Sequence, residues 1–319
     1  MQQYRSKVGR IRKLLQWSGL ASSSFYYRPS GAKRGRRPST HTANIDGELF
    51  ENTVVVKQIE IILQQEFCCY GYHMVTCELH EIGWIINHKK VYRLMDEHHM
   101  LFNSRIKVIA SQRSFVRYRK LLPERPLQYL SMDIKFVHIH ASGRNALLLT
   151  VMDVYSRKVL MHMLRYNIRK GDVLVMLSLL LLEYKPQGMT IRNDNGSQFI
   201  AGAVRQFLKD KGVYQEFSHV GTPEDNAYIE ALHSNLQREV INRFEFDSIY
   251  HAALVIDRYY KWYNEKRRHG SLNRRRPQEI WDQYFSNPFP CKTKNPILQM
   301  KNTPDLLNHF DKTLQEIGV

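Results

Sequence analysis

The sequence predicts an α/β protein in which small all-α modules precede a mixed-sheet core. Three observations predict this arrangement. Before residue 100, apolar residues recur mostly at helical spacing. Between residues 129 and 164, three strand-like runs follow one another, which is typical of an antiparallel meander. After residue 165, apolar helical segments alternate with short strand-like runs, as in a sheet covered by helices on both faces.

The charge of the chain indicates a polyanionic partner. The 319 residues include 47 Lys and Arg against 30 Asp and Glu, a formal net charge of +17, and the isoelectric point is near 9.7. The longest apolar run, residues 173–182, is too short to span a bilayer, so lipid is not the expected partner. Four cysteines are too few for a disulfide framework, and the basic first 20 residues lack the apolar segment of a signal peptide. We therefore expect a nucleic-acid partner and a cytoplasmic location.

Residues 1–42 are predicted to form a helical unit and a basic linker. Residues 4–27 carry apolar side chains at helical spacing, and Gly19 interrupts the helix. This outline is equally typical of a truncated helix-turn-helix and of a packing or dimer element. The linker, Ser30 to Thr42, fits either a solvated connector or a DNA-phosphate contact. Its candidate DNA-binding residues are Lys33, Arg34, Arg36 and Arg37.

Residues 43–100 are predicted to form a second helical module. Its expected helices are Glu48–Phe67, Tyr70–Glu81 and His88–His98, with Asn87 capping the third. Two helices joined by a short Gly-containing turn have helix-turn-helix spacing. The last helix would present basic side chains to a major groove, although a solvated basic helix has the same pattern. These side chains are His88, Lys89, Lys90 and Arg93.

Residues 101–125 are predicted to be a basic connector, and residues 126–285 the core. The expected core strands are 129–140, 145–153, 156–164, 188–193 and 213–218, and the expected core helices are 171–184, 198–211, 223–243 and 247–264. The remaining residues, 286–319, form a tail with one short amphipathic segment, Pro304–Ile317, which we expect to dock on the core.

Three acids in the core are candidates for a shared site. Asp133 lies within a strand-like run, Asp194 follows a short strand, and Glu230 lies near the start of a helix. Each has an ordinary explanation when taken alone, since Asp is common in turns and Glu in the first turns of helices. Ligands bind beyond the carboxyl ends of strands in α/β sheets, so together the three acids predict a site at that edge. A fourth acid, Asp153, sits where a hairpin should turn, and we interpret it as structural.

Converging carboxylates suit a particular reaction chemistry. Phosphodiester transfer needs an in-line nucleophile, charge neutralisation and a stabilised leaving oxygen, which two metal ions about 3.5–4 Å apart supply. Magnesium takes oxygen ligands and keeps several waters, so a few carboxylates on rigid elements are enough. We therefore expect Asp133, Asp194 and Glu230 to bind two ions of Mg²⁺ or Mn²⁺ and to act on DNA.

Four motifs carry a resemblance to a known family: Ser131-Met132-Asp133-Ile134, Asn193 to Phe199, Glu224 to Glu230, and Tyr263 to Leu272. The chain resembles insertion-sequence transposases of the retroviral-integrase-like DDE superfamily, and in particular the second-frame product of elements with two overlapping frames. In that family 35 residues separate the second and third acids, as positions 195–229 do here. The sequence departs from the family at Leu130, Met132 and Asn193, and at Gln237, where the family often has a Lys. Its neighbour Arg238 is the substitute candidate for a DNA contact.

The resemblance implies a ribonuclease-H-like (integrase) core that cleaves element ends and joins the 3′ hydroxyl to DNA. It also implies double-stranded DNA and a first-frame product or frameshift fusion as partners, and assembly as a homo-oligomer on DNA. The basic run after the last predicted helix provides further candidate DNA contacts: Lys266, Arg267 and Arg268. Two other functions stay open, a catalytically silent DNA-binding repressor and a plain nuclease with the same core.

Overall fold

The computed structural model describes residues 11–28, 38–102, 121–185, 188–218 and 226–286. Several predicted features lie outside these ranges. They are the four basic residues of the linker, the start of the helix with Glu230, and the amphipathic segment of the tail: Lys33, Arg34, Arg36 and Arg37, residues 219–225, and Pro304–Ile317. In the described ranges, no helix combines the length and the apolar composition needed to cross a membrane.

The first part of the chain contains five helices and three short strands within the described residues. They are α1 Ile11–Ser18, α2 Ser22–Phe25, β1 His41–Asn44, β2 Leu49–Glu51, α3 Asn52–Leu63, α4 Tyr72–Glu81, β3 Trp84–Ile85 and α5 His88–Glu97. The three predicted helices of the second module are present as α3, α4 and α5. The Asn87 side chain caps α5, as predicted, by accepting a hydrogen bond from the Lys90 amide at 2.9 Å.

A small antiparallel sheet accompanies these helices and was not predicted. Its strand order is β2-β1-β3. The first predicted helix therefore begins at Asn52, because Leu49–Glu51 pairs with β1 instead. The turn between β1 and β2 is set by the Asn44 side chain, which accepts hydrogen bonds from the amides of Asp46 and Glu48, and by Gly47 at a φ of 84°. Strands of two to four residues are too short for periodicity to detect.

The core is one five-stranded mixed sheet with helices on both faces. Its elements are β4 Tyr129–Ile139, β5 Arg144–Asp153, β6 Val159–Arg165, α6 Lys170–Tyr184, β7 Thr190–Asn193, α7 Ser197–Ile200, α8 Gly202–Asp210, β8 Tyr214–Phe217, α9 Ala227–Leu236, a π-helical turn Gln237–Ile241, α10 Ile249–Glu265 and α11 Pro277–Ser286. The strand order is β6-β5-β4-β7-β8. Strands β4, β5 and β6 are antiparallel, and β7 and β8 join parallel to β4. The ribonuclease-H-like core is thereby confirmed.

Alternation along β4 divides the core between the two faces of the sheet. Leu130 and Met132 pack with α6 and α8 on one face. Val137 and Ile139 pack with α9 and α10 on the other. Because successive side chains of a strand point to opposite faces, Asp133 belongs to the same face as Val137 and Ile139. That is the face covered by α9, the helix that carries Glu230.

Candidate active site

Asp133 and Asp194 lie on neighbouring parallel strands in the middle of the sheet. The pairing of β4 with β7 matches Tyr129 to Thr190 and Ser131 to Arg192. Continued by two residues, this register brings Asp133 opposite Asp194, the first residue after β7. Both side chains are half-buried. The two acids are close enough for the charge of Asp133 to raise the pKa of Asp194.

The turn after β7 fixes the carboxylate of Asp194. The Gly196 amide donates a hydrogen bond to Asp194 Oδ1 at 3.0 Å. A side chain at Gly196 would place its Cβ 3.0 Å from that same oxygen, so glycine leaves room for the turn. The side chain of Asn193 donates to the Asp194 carbonyl at 2.7 Å. Burial is the largest cause of the raised pKa of Asp194, the Gly196 hydrogen bond opposes it, and Asp133 adds to it.

Helix α9 approaches Asp133 through His233. The Nδ1 atom of His233 lies 3.4 Å from Asp133 Oδ2, and the ring is buried. Glu230 precedes His233 by three residues, so the two side chains are neighbours on one side of the helix. Glu230 itself is exposed. The structure thus brings the helical turn bearing Glu230 to the face of the sheet that holds Asp133.

The three predicted carboxylates do not form a ready-made metal site. Among the residues that the structure describes, no three His, Cys, Asp or Glu side chains are grouped to hold a metal ion. The two aspartates nevertheless fit a divalent cation. They are adjacent oxygen donors whose like charges oppose each other, and a cation between them would remove that repulsion.

The structural interpretation of Asp153 is confirmed. Its carboxylate is buried and accepts hydrogen bonds from the Leu127 amide at 2.9 Å and from the Ser156 amide at 2.7 Å. The Ser156 hydroxyl donates to the same carboxylate at 2.6 Å. Desolvation raises the pKa of Asp153 despite these bonds. This acid closes the turn after β5.

Two of the basic residues predicted on α5 have internal partners. Lys90 Nζ donates to the His41 carbonyl at 2.6 Å and to Ser39 Oγ at 3.0 Å. Arg93 Nη2 donates to the Ser39 carbonyl at 3.1 Å. These side chains hold the segment leading into β1 against the helix. His88 and Lys89 are exposed at the start of α5, and their DNA contacts stay predictions.

The structure gives Arg267 and Arg268 roles that differ from the predicted DNA contact. Arg267 is 8% exposed, and its Nε and Nη2 atoms each donate to Glu239 at 2.8 Å. Arg268 pairs with Glu78 and Glu81 of α4. Sequence charge alone cannot distinguish a buried bidentate ion pair from a phosphate contact, so the predicted DNA contacts did not anticipate these internal ion pairs. Lys266 and Arg238 are exposed, and their DNA contacts stay predictions.

Comparison with known proteins agrees with this architecture. Residues 123–223 and residues 211–277 match family models described as "Integrase core domain". Residues 51–107 match a model described as "HTH-like domain". The matches follow the two parts of the fold, since the first pair spans the five-stranded sheet with α9 and the last spans α3 to α5.

Relatives with similar sequences come from bacterial insertion elements. A 31.7 kDa protein of element IS407 of Burkholderia multivorans is 28% identical over 231 residues, which cover 72% of this chain and 81% of that protein. The transposase of element IS904 of Lactococcus lactis is 26% identical over 261 residues, covering 77% of this chain and 97% of that protein. Together, the integrase-core matches and these relatives support a transposase of the insertion-sequence type in the retroviral-integrase-like DDE superfamily, with a helix-turn-helix-like module before its core.

Two solved integrase cores are similar to parts of the transposase. The catalytic core domain of BIV integrase aligns with a TM-score of 0.41 and 16% identity, covering 51% of this chain and 99% of that one. The HTLV-2 integrase catalytic core domain aligns with a TM-score of 0.35 and 14% identity, covering 49% and 95%. Because these TM-scores are low, the fold assignment rests on the sheet order and the family matches and not on these two structures.

Sequence reasoning missed two buried residues, one that contacts Asp133 and one in the turn after α9. His233 contacts Asp133, and its spacing of three from Glu230 is a signal that was present in the sequence. Glu239 is 1% exposed and binds Arg267 and the Tyr259 hydroxyl. A Glu in a helix is usually exposed, so no local pattern marks Glu239 as buried.

Proposed function

We propose that Asp133, Asp194 and Glu230 are the catalytic and metal-binding residues of this transposase. In this proposal they hold two divalent ions, Mg²⁺ or Mn²⁺, against a DNA phosphodiester. The ions would neutralise charge on the attacking and leaving oxygens. The two aspartates, fixed by the sheet and by the turn at Gly196, would supply the rigid part of the site. Glu230 would complete it from α9.

One observation carries the proposal: Asp133 lies on β4, Asp194 directly follows the adjacent parallel strand β7, and the charge of Asp133 acts on Asp194. The contact between His233 and Asp133 supports it, because it joins that helix to the first acid at 3.4 Å. Two carboxylates held close together lower the stability of the fold when no cation lies between them. Proteins keep such pairs mainly at functional sites.

Two successive displacements at phosphorus would follow from such a site. In the first, water attacks the phosphodiester at an element end, the bond from phosphorus to the 3′ oxygen breaks, and the leaving oxygen takes a proton. In the second, the freed 3′ hydroxyl attacks a phosphodiester of another DNA segment. A new bond from phosphorus to oxygen forms, and the 3′ oxygen of that segment leaves.

The proposal extends to partners and organisation. Double-stranded DNA, element end and target, would bind the helix-turn-helix-like module and the core. Assembly on two ends would require a homo-oligomer, and a first-frame product or frameshift fusion would complete the active enzyme. We also propose five functional segments: residues 1–42, 43–100, 101–125, 126–285 and 286–319.

The test uses labelled element ends with Mg²⁺ or Mn²⁺, comparing the wild type with Glu230→Gln. Glu265→Gln is the matched control, because Glu265 is an exposed acid at the end of α10 and is not one of the three proposed site residues. We expect the wild type and the control to cleave and to join strands. Glu230→Gln should bind DNA but lose cleavage by about 100-fold or more, about 2.7 kcal/mol of transition-state stabilisation.

The other outcomes identify the alternative functions. Binding without cleavage by both the wild type and Glu230→Gln would indicate a catalytically silent DNA-binding repressor. Cleavage without strand joining would indicate a plain nuclease. Equal cleavage by the wild type and Glu230→Gln would remove Glu230 from the site.

A further inference from the structure

Helix α4 of the helix-turn-helix-like module is bound to the core by a group of four charged residues. The group consists of Glu78 and Glu81 on α4, and of Arg268 and Arg276 in the segment after α10; we call it the interdomain ion-pair cluster. Arg268 Nε lies 2.5 Å from Glu78 Oε1. Arg276 Nη1 and Nη2 donate to the two carboxylate oxygens of Glu81 at 2.8 and 2.5 Å. Arg268 also contacts Glu81, and Arg276 also contacts Glu78.

The geometry of the cluster fixes orientation as well as distance. Each arginine reaches both acids, and planar guanidinium groups pair with carboxylates in defined directions. Both arginine side chains, at 10% and 16% exposed, and that of Glu78, at 18%, are little screened by water, whereas Glu81 is 46% exposed. The hydrogen bond from Arg276 lowers the pKa of Glu81, so the acid stays ionised in this contact.

Uncharged contacts also join the helix-turn-helix-like module to the core. The Tyr70 hydroxyl donates to the Lys266 carbonyl at 3.2 Å and accepts from the Arg268 amide at 2.8 Å. Phe67, just after α3, is buried in the core with its ring 5.4 Å from that of Tyr259. Trp262 of α10 packs against the apolar clusters of both parts. The module is therefore docked on the core through buried apolar contacts as well as charge.

The covalent connection alone would not set this arrangement. The stretch 103–120, 18 residues outside the described ranges, could span at most about 60 Å if fully extended. Along duplex DNA, with about 3.4 Å per base pair, that reach corresponds to about 18 base pairs. A module held only by its chain connection could therefore bind DNA at many distances from the aspartates of the core.

We propose that the interdomain ion-pair cluster sets the distance between the DNA sequence bound by the module and the phosphodiester that the core cuts. Glu78, Glu81, Arg268 and Arg276 are then positioning residues, and the position of the cut is a property of the docked pair of domains. This inference rests on the proposed DNA cleavage. In this inference the DNA is one continuous duplex that contacts His88 and Lys89 of α5 and reaches Asp133 in the core.

The experiment maps cut positions at single-nucleotide resolution on a labelled element end. Three variants of the full chain are compared with the wild type: Glu78→Arg with Glu81→Arg, Arg268→Glu with Arg276→Glu, and the fourfold charge swap. The wild type should cut mainly at one position. Each double reversal should lower the share of cuts at that position at least threefold and spread the rest over neighbouring positions. The fourfold swap should restore the single position.

Glu66→Arg is the matched control. Glu66 pairs with Arg258 of α10 at 2.7 Å and also joins the module to the core, but both side chains are about half exposed. Reversing it should leave the cut position unchanged, because exposed pairs contribute little. If the double reversals fail to fold, Arg268→Lys with Arg276→Lys replaces them. It keeps the charge, removes the paired donor geometry, and should also broaden the cuts.

A second readout does not depend on cleavage. Amide hydrogen exchange should be slow at residues 70–81 in the wild type, faster in the double reversals, and slow again in the fourfold swap. Folded reversal variants that cut at one unchanged position would overturn the inference. Unchanged exchange at residues 70–81 would overturn the docking on which it depends. A wild type that shows these exchange differences but cuts no DNA would instead overturn the proposed function and leave the docking in place.

Discussion

At the scale of single residues, the proposed role of Asp194 in a metal site conflicts with the stability of the fold. Burial raises the pKa of its carboxyl, and the nearby charge of Asp133 raises it further. A raised pKa means that ionisation is less favourable in the folded chain than in the unfolded one. The contribution to stability is therefore present at low pH and is lost as the pH rises through the folded pKa. The site is built at the expense of stability at neutral pH.

Asp194→Asn should raise the melting temperature of the metal-free protein at pH 7, by about 1–2 °C, because it removes a half-buried charge beside Asp133. The amide oxygen of Asn can still accept the Gly196 hydrogen bond. The difference should disappear below the unperturbed carboxyl pKa of 3.8, where the wild-type acid is neutral as well. Calorimetry across this pH range measures it, with the exposed Asp257→Asn as control. A lower melting temperature for Asp194→Asn at pH 7 would contradict the account.

The same variant reports on metal binding. Millimolar Mg²⁺ should raise the melting temperature of the wild type, since a ligand that binds only the folded state stabilises it. Asp194→Asn should respond less, because it lacks one ligand. An equal response of both proteins would mean that the ion binds elsewhere.

At the scale of elements, α9 and the π-helical turn after it connect the site to the rest of the core. Leu232 and Leu236 of α9 are buried in the core on the face of the sheet that holds Asp133, and Glu230 of the same helix is exposed. The next turn carries Glu239, which is buried and pairs with Arg267 in the segment after α10. Tyr259 of α10 donates to the same carboxylate at 3.0 Å. The orientation of α9 therefore depends on the buried carboxylate of Glu239, which binds both α10 and the segment after it.

Glu239→Gln should destabilise the protein by about 3–5 kcal/mol, because it leaves the buried guanidinium of Arg267 without its counter-charge. Urea unfolding measures this. Arg238→Ala is the control: Arg238 also contacts Glu239, at 2.6 Å, but its side chain is 57% exposed. Its removal should change stability by about 1 kcal/mol or less while weakening DNA binding. A loss below about 1 kcal/mol for Glu239→Gln would mean that the pair does not hold α9.

Different elements were predictable to different degrees. Strands β4 and β5 were predicted to within one residue because their alternation is long and regular. The predicted helix over 198–211 is divided at Ala201, whose ψ of 131° is extended, and a propensity pattern does not register one such residue. The sheet β1–β3 escaped prediction because its strands are very short and because β3 pairs with β1 from far along the chain, Ile85 with Ala43. Such pairing depends on tertiary contacts that local sequence does not encode.

At the scale of the whole molecule, the candidate site was more predictable than the charged surface. The run of elements predicted a mixed sheet that carries Asp133 within a strand and Asp194 after another, and the structure makes those two strands neighbours. The partners of the arginines were not predictable, because Arg268 and Glu78 are 190 positions apart. Charge patterns show how many basic residues a chain has, whereas contacts across the fold decide which of them are available to DNA.

In the described residues, a helix-turn-helix-like module is docked on a core that carries Asp133 on its central strand and Asp194 directly after the adjacent strand. The central claim is that Asp133, Asp194 and Glu230 meet around divalent ions. The most direct measurement is a crystal structure of the full chain on an element end with Mn²⁺, located by anomalous scattering. The account predicts manganese about 2 Å from the carboxylate oxygens of both aspartates, with Glu230 completing the coordination. Manganese bound at other residues, or Glu230 on the opposite side of the sheet from the aspartates, would contradict it.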